Sequence, residues 1–175
     1  MKLIAFAASS SSKSINKKLA SYAASLVEGA EVEVLDLRDY ELPLFSTDKE
    51  EELGQPDAAK KFLQKIGNAD RLIISFAEHN GNYSAAYKNL FDWCTRIEAK
   101  VYQNKPTLLL ATSPGGRGAA SVLGIAESAL PRFGCDIRAS LSVPNFADNF
   151  DLESERISNP EINAQLLKAI SLLGA

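Results

Sequence analysis

The feature that most constrains the fold is the alternation of short apolar runs with longer segments of helical periodicity. The strand-like runs are Leu3–Ala8, Glu31–Leu37, Arg71–Phe76, Thr107–Thr112 and Asp136–Val143. The helical segments are Ile15–Val27, Pro56–Asn68, Tyr83–Ile97, Arg117–Phe133 and one that begins at Asn159–Pro160. Five strands that alternate with five helices predict an α/β fold, with a parallel sheet covered by helices on both faces. We expect the strand order 2-1-3-4-5, which is one of the two common orders for such sheets.

Length and composition indicate an ordinary globular protein. We expect residues 1–175 to form one domain, because 46% of the residues are hydrophobic and 23% are charged. A net charge of −3 without a basic run argues against a nucleic-acid partner. No apolar run suits a membrane span, and the N-terminus has no leader pattern, so we expect neither membrane insertion nor export.

The cysteines and the histidine carry no site of their own. Cys94 and Cys135 lie singly in apolar patterns and are expected to be reduced packing residues, which fits a cytoplasmic protein. One histidine without a cysteine cluster makes a zinc site improbable. Residues 38–55 are the least regular part of the chain, and the acidic run Asp48–Glu52 is expected to be a solvated surface loop.

Five serines crowd the turn between the first strand and the first helix, at positions 9, 10, 11, 12 and 14. A helix N-terminus offers unpaired N–H groups and the positive end of a dipole, and hydroxyls add donors without charge. Plain helix capping is the alternative. The loop lacks both common glycine-rich phosphate fingerprints, so a monophosphate fits better than a dinucleotide. Its predicted ligands are Ser9, Ser11, Ser14, Ile15 and Asn16.

Two further loops leave the carboxyl ends of predicted strands, where ligands bind in such sheets. The second loop offers Ala77, Glu78, His79, Asn80 and Gly81, and Asn80–Gly81 is a turn signal that lets backbone amides approach a flat heterocycle. We expect His79 to contact the ligand, for example as a stacking partner. A proton donor and a plain surface residue are the alternatives. The third loop offers Ser113, Gly115, Gly116 and Arg117, whose glycines expose backbone N–H groups to ring carbonyls. Each of these two loops is also compatible with a plain connection.

These loops carry a family resemblance. Residues 8–16 resemble the pattern G-S-x-R-x-x-S-x-N and match it at Ser9, Ser14 and Asn16. Residues 77–93 resemble P-E-Y-N-G-S-Y-P-x-x-L-K-N-x-x-D-W, with matches at Glu78, Asn80, Gly81, Tyr83, Lys88, Asn89, Asp92 and Trp93. Residues 113–118 resemble S-G-G-G-R-G, with Pro114 in place of a glycine. Over roughly residues 1–145 the chain therefore resembles the NADPH-dependent FMN reductase family, a flavodoxin-like branch that includes quinone, azo-dye and chromate reductases.

The departures from that pattern concern the cofactor. Ser11 stands where the family has an arginine, which removes a charge-assisted partner of the FMN phosphate. Lys13 or Lys17 is the candidate substitute, although neither reproduces the bidentate fork of arginine. Ala77 and His79 replace a proline and a tyrosine beside the ring.

The resemblance implies an enzyme that binds FMN and takes electrons from NADPH or NADH. Its acceptor would be a small molecule such as a quinone or free flavin, in ping-pong hydride transfer. No catalytic side chain is required, because the cofactor performs the chemistry. Arg117 is expected to meet a negative group of the nucleotide or of reduced flavin, or to be a surface residue at a helix start. The alternatives are a flavodoxin-type electron carrier and a member that has lost FMN.

The resemblance also implies a homodimer or tetramer with the flavin near the subunit boundary. The helix after the second loop has one inward face, formed by Ala86, Leu90, Trp93, Cys94 and Ile97. We expect Tyr87 and Phe91 to lie beside this face as an exposed apolar patch, and such patches commonly mark interfaces.

Overall fold

A five-stranded parallel sheet forms the centre of the molecule, which we describe from a computed structural model of residues 1–174. The strands in chain order are β1 (Lys2–Ala8), β2 (Glu31–Leu35), β3 (Arg71–Phe76), β4 (Glu78–His79), β5 (Asn82–Tyr83), β6 (Lys105–Thr112), β7 (Cys135–Val143), β8 (Phe150–Asp151) and β9 (Arg156–Ile157). The large sheet has the order β2-β1-β3-β6-β7, which confirms the predicted 2-1-3-4-5 order. The pairs β4–β5 and β8–β9 are small antiparallel hairpins outside it.

Helices cover both faces of the sheet, as predicted. They are α1 (Ile15–Ser25), α2 (Thr47–Leu53), α3 (Asp57–Gly67), α4 (Ala85–Thr95), α5 (Ala120–Ala129), α6 (Phe146–Asn149) and α7 (Pro160–Leu173). Side chains of β1 alternate between the two cores, so that Leu3 packs with α1 and α7 while Ile4 packs with α3, α4 and α5. Helices α3, α4 and α5 therefore lie on one face, and α1, α7 and the short α6, through Phe146, lie on the other. No helix in residues 1–174 is long and apolar enough to cross a membrane.

Polar caps set the starts of the helices that follow the site loops. The Ser14 hydroxyl caps α1 by accepting a hydrogen bond from the Lys17 N–H, and the Ser84 hydroxyl caps α4. Asn159 caps α7, with Pro160 at its first position, which confirms the predicted start. Tyr83 lies outside α4 and belongs to β5, so the prediction that this helix begins at Tyr83 was wrong by two residues.

The acidic segment is a helix, and its prediction as a loop was wrong. The Ser46 hydroxyl caps α2 by accepting a hydrogen bond from the Lys49 N–H. Acidic side chains in the first turn also stabilise the helix, because they lie at the positive end of its dipole. Glu50 also pairs with Arg96 at 2.9 Å. None of the residues of α2 is buried, so the expectation of a solvated surface segment holds.

The predicted helix Arg117–Phe133 is shorter and ends differently. Gly118 and Ala119 adopt left-handed backbone conformations (φ 58° and 61°), so α5 begins only at Ala120. Pro131 cannot donate the next helical hydrogen bond, and the chain continues as a 3-10 turn over Leu130–Phe133. Gly134, with φ 77°, ends the segment directly after Phe133, the predicted last residue.

Tyr87 and Phe91 are buried, so the prediction of an exposed apolar patch on α4 was wrong. Their rings are 5.9 Å apart and stacked, and the Phe91 ring also meets that of Phe133 at 4.8 Å. The Tyr87 and Tyr102 hydroxyls are hydrogen-bonded to each other in the core. The 3-10 turn after α5 supplies Phe133, so a second apolar face on α4 is covered within the chain.

Both cysteines are buried packing residues, as predicted. Burial raises the pKa of the Cys94 thiol to about 12 and that of Cys135 to about 11. Thiols that stay protonated at neutral pH are poor nucleophiles.

Candidate functional site

The first loop is organised by its own serines. The Ser9 hydroxyl oxygen accepts from the Ser11 N–H at 3.2 Å, and that of Ser11 accepts from the Lys13 N–H at 3.2 Å. The Ser14 hydroxyl accepts from the Lys17 N–H at 3.1 Å. A hydroxyl that accepts in this way keeps its own O–H as a donor. The capping alternative and the phosphate interpretation are therefore compatible, because one oxygen serves the loop while its proton remains for an anion.

Asn16 joins three elements at the carboxyl edge of the sheet. Its side-chain oxygen accepts from the Ser75 hydroxyl at 2.7 Å and from the Thr112 N–H at 3.0 Å. Its amide nitrogen donates to the Thr112 carbonyl oxygen at 3.0 Å. The side chain is buried, so these bonds fix α1 against the ends of β3 and β6. Sequence reasoning proposed Asn16 as a ligand and did not identify Ser75 and Thr112 as its partners.

The two lysines near the first loop, Lys13 and Lys17, differ in whether they form an ion pair. Lys17 pairs with Asp36 at 2.5 Å, and Arg38 pairs with the same carboxylate at 2.6 Å. The hydrogen bonds from Arg38, joined by that from Lys17, hold the pKa of Asp36 well below its usual range. Lys13 makes no ion pair with any residue in the described part of the chain, so it is the ammonium free to meet an anion.

The second loop is a tight β-hairpin rather than an irregular loop. Asn80 and Gly81 have φ values of 53° and 76°, which is the conformation that lets a two-residue turn close a hairpin between β4 and β5. His79, Asn80 and Gly81 are exposed at its tip, while Ala77 is buried at its base. The Ser84 hydroxyl donates to the Ala8 carbonyl oxygen at 2.8 Å, which ties the end of the hairpin to the start of the first loop.

The third loop is fixed to the end of β7. The Asn145 N–H donates to the Gly115 carbonyl oxygen at 3.0 Å, and the Ser142 hydroxyl donates to that of Gly118 at 2.8 Å. Gly118 needs its left-handed backbone, and a Cβ there would lie 2.3 Å from the Ser142 hydroxyl oxygen. At Gly115 a Cβ would meet nothing within 4 Å, so the backbone of this turn stays open to a ligand.

The three loops meet in one cleft of about 220 Å³. Its lining includes nine of the predicted residues, which come from all three loops: Ser9, Ser11, Ser14, Ile15, Asn16, Ala77, Glu78, His79 and Ser113. The predicted residues Asn80, Gly81, Gly115, Gly116 and Arg117 do not line it and lie at the exposed tips of its two flanking loops. Lys13, a candidate to supply charge to the phosphate, also lines the cleft, as do Thr112 and Pro114, which were not among the predicted ligands.

Two larger cavities, of about 460 and 630 Å³, border the first loop, but neither includes a residue of the hairpin or of the third loop. Topology and donor chemistry therefore point to the smaller cleft. No group of three or more His, Cys, Asp or Glu side chains within residues 1–174 is arranged to hold a metal ion.

The cleft has donors suited to both ends of FMN. Hydroxyls and the first turn of α1 fit a phosphate at one end, and Lys13 adds a positive charge there. Open glycine backbone on two flanking loops fits the carbonyl and imide groups of a flat ring at the other end. The one acidic side chain in the lining is Glu78, whose carboxylate accepts a hydrogen bond from the Val122 N–H.

Comparison with known proteins identifies the family. A model of the NADPH-dependent FMN reductases matches residues 1–146, which include all three loops. The chain belongs to this family. The family is described by NADPH-dependent reduction of FMN.

Named relatives are quinone and flavin reductases. An NADPH:quinone oxidoreductase of Arabidopsis thaliana is 35% identical over 95 residues, which are 54% of this chain and 47% of the relative. An NAD(P)H-dependent FMN reductase of Pseudomonas aeruginosa is 31% identical over 69% of this chain and 64% of its own length. The chain thus spans about half to two thirds of the length of these two relatives.

Solved structures show the same fold. FerB, a flavoenzyme NAD(P)H:(acceptor) oxidoreductase from Paracoccus denitrificans, superposes with a TM-score of 0.77 at 23% identity, over 99% of this chain and 95% of FerB. Its likeness confirms the flavodoxin-like architecture of the family.

Proposed function

We propose that this protein binds FMN in the three-loop cleft and is an NAD(P)H-dependent oxidoreductase that reduces quinones, free flavin or similar small acceptors. The observation that supports this most is the convergence of the serine loop, the hairpin and the glycine loop in one cleft of a family member. Quinone reductases recur among the relatives, which supports a quinone as one acceptor class.

Each loop has a separate task in this proposal. Hydroxyls of Ser9, Ser11 and Ser14 and the N–H groups of Ile15 and Asn16 hold the phosphate. Backbone groups of residues 77–81 and 113–117 hold the ring. FMN held there would supply the hydride-transfer chemistry between the nicotinamide and the acceptor, which we propose to follow a ping-pong order.

The protein's own residues position the reactants and need not transfer protons. His79 is exposed at the rim, where it contacts the ring or an acceptor, and Arg117 is exposed on the opposite loop. We assign Arg117 the role of meeting the negative phosphates of the nicotinamide nucleotide, because guanidinium groups bind phosphate in a bidentate manner. An Arg117→Ala variant then raises KM for NADPH and leaves FMN binding unchanged.

We further propose a cytoplasmic homodimer or tetramer. Burial of Tyr87 and Phe91 removes the exposed patch that was one ground for this expectation, and the family resemblance is the ground that is left. A different apolar side chain, Leu44, is 81% exposed on a segment held by Asn89 and Trp93 through hydrogen bonds to the Pro43 carbonyl oxygen. Light scattering tests the assembly, since a monomer has a mass of 18.9 kDa.

FMN titration tests the site. Flavin fluorescence should be quenched on addition of the protein, and Ser14→Ala should weaken binding through loss of the cap and of a donor. Ser154→Ala is the matched control, because Ser154 does not line the cleft and its hydroxyl is hydrogen-bonded to the Asp151 carboxylate. Equal affinity of wild type and Ser14→Ala would remove the first loop from the site.

A further inference from the structure

Glu78 supplies a helix cap that the sequence of α5 lacks. The residue at the cap position, Ala119, has no polar side chain and adopts a left-handed backbone with φ 61°. The Glu78 carboxylate accepts from the N–H of Val122, the third residue of α5, at 2.9 Å. The first-turn N–H groups of a helix have no partner within the helix, and a carboxylate there also complements the positive end of the dipole. Glu78 therefore stabilises the start of α5 from another element.

This contact joins the two loops that flank the cleft. Glu78 belongs to β4 and Val122 to the helix that follows the third loop, 44 residues further along the chain. The third loop has its own attachments to the end of β7, through Ser142 and Asn145. The hairpin has strands of two residues, and so short a hairpin is not stable alone.

The base of the hairpin is fixed from the other side. Tyr83 packs against the rings of Phe76 and Tyr87 at 5.6 and 5.0 Å, and Ser84 bonds to the Ala8 carbonyl oxygen. These contacts hold the end of the hairpin next to α4 but do not reach the third loop. β5 also packs against α5, and the Glu78 carboxylate adds a side-chain hydrogen bond that fixes β4 itself to the start of that helix.

We propose that Glu78 is a positioning residue that sets the width of the cleft between the hairpin and the third loop. The ligand in this inference rests on the proposed function, whereas the contact with Val122 is a property of the protein alone. Loss of the carboxylate frees β4 while the third loop keeps its anchors on β7. The two backbone surfaces that would hold the ring then cease to have a fixed separation.

Two substitutions at Glu78 and one control test this. Glu78→Ala removes the acceptor, whereas Glu78→Gln keeps an oxygen acceptor without the charge. Glu127→Ala is the matched control. Glu127 lies on α5, and its carboxylate also has a hydrogen-bond partner, the Ser140 hydroxyl on β7. Amide hydrogen exchange is measured in the protein without ligand, and FMN affinity by fluorescence quenching.

We expect Glu78→Ala to speed exchange of the Val122 amide and of β4 and to weaken FMN binding, each by about tenfold. Glu78→Gln should restore most of both losses, and Glu127→Ala should change neither. The inference is overturned if Glu78→Ala retains wild-type exchange at Val122, or if it folds and binds FMN as the wild type does. Failure of the wild type to bind FMN would contradict the proposed function instead, and the exchange data would still decide the role of Glu78.

Discussion

Asn16 shows at the scale of one residue how a buried side chain organises the binding edge. Its three hydrogen bonds reach Ser75 and Thr112, on strands that sequence reasoning treated only as core. The pattern indicated that Asn16 belongs near the site. It could not indicate these partners, because they are 59 and 96 residues away in the chain and meet it only through the strand order.

Replacement of Asn16 should therefore act on stability first. Asn16→Ala leaves the Ser75 hydroxyl and the Thr112 N–H and carbonyl without their partner, at about 1–3 kcal/mol for each buried group left unpaired. Urea denaturation measures the free energy of unfolding. Ser14→Ala, which removes a single cap hydrogen bond from the Lys17 N–H, should cost about 1 kcal/mol. Equal stability of Asn16→Ala and wild type would contradict the assigned role.

The charge at the phosphate end should come from Lys13. Lys17 is engaged by Asp36, so Lys13→Ala should weaken FMN binding more than Lys17→Ala does. Ser11→Arg should strengthen binding by about tenfold, because it restores a charge-assisted, bidentate partner. Titrations at low and high salt measure both effects. If Lys17→Ala proves the more damaging change, the ammonium that serves the phosphate has been misassigned.

Asp36 should make stability depend on acid pH. Hydrogen bonds from Arg38 and Lys17 lower the folded-state pKa of Asp36, so its carboxylate stabilises the fold above the unfolded pKa of about 4. This contribution is lost as pH falls through the folded pKa. Asp36→Asn should thus destabilise by about 1 kcal/mol at pH 7, and the difference from wild type should shrink below pH 4. A difference that grows on acidification would contradict this sign.

At the scale of elements, the backbone conformation of the third loop requires a glycine at position 118. Gly118→Ala places a Cβ 2.3 Å from the Ser142 hydroxyl and 2.9 Å from the Pro144 nitrogen, in a backbone region that side chains rarely adopt. We expect a loss of more than about 1 kcal/mol in stability. Gly124→Ala is the control in the same region, because a Cβ there meets nothing within 4 Å and α5 should gain up to about 1 kcal/mol. Denaturation of both variants measures this, and equal effects would refute the account of the loop.

Elements whose signals are local were predicted well. The caps at Ser14 and Asn159 and the stop at Gly134 lie where the sequence indicated. The hairpin was predicted only as a turn, because Asn80–Gly81 is a hairpin signal without long alternating strands beside it. Burial of Phe91 could not be predicted, since Phe133 reaches it only after Pro131 turns the chain.

At the scale of the whole molecule, the strand order decides the site. The loops after β1, β3 and β6 are adjacent only because these three strands are neighbours in the sheet. The sequence predicted this order, and with it the convergence of loops that lie at residues 9–16, 77–81 and 113–117 of the chain. The sequence does not predict which acceptor is reduced, because in the proposed reaction no side chain forms a bond to the acceptor and the cleft is open.

The measurement that tests the account most directly is anaerobic addition of NADPH to the purified protein loaded with one equivalent of FMN. The account predicts that FMN binds, that NADPH alone bleaches its visible absorption, and that a benzoquinone then restores the colour. A protein that binds FMN but is not reduced without a partner enzyme would be an electron carrier. That result, or a wild-type protein that leaves FMN free in solution, would contradict the proposed function.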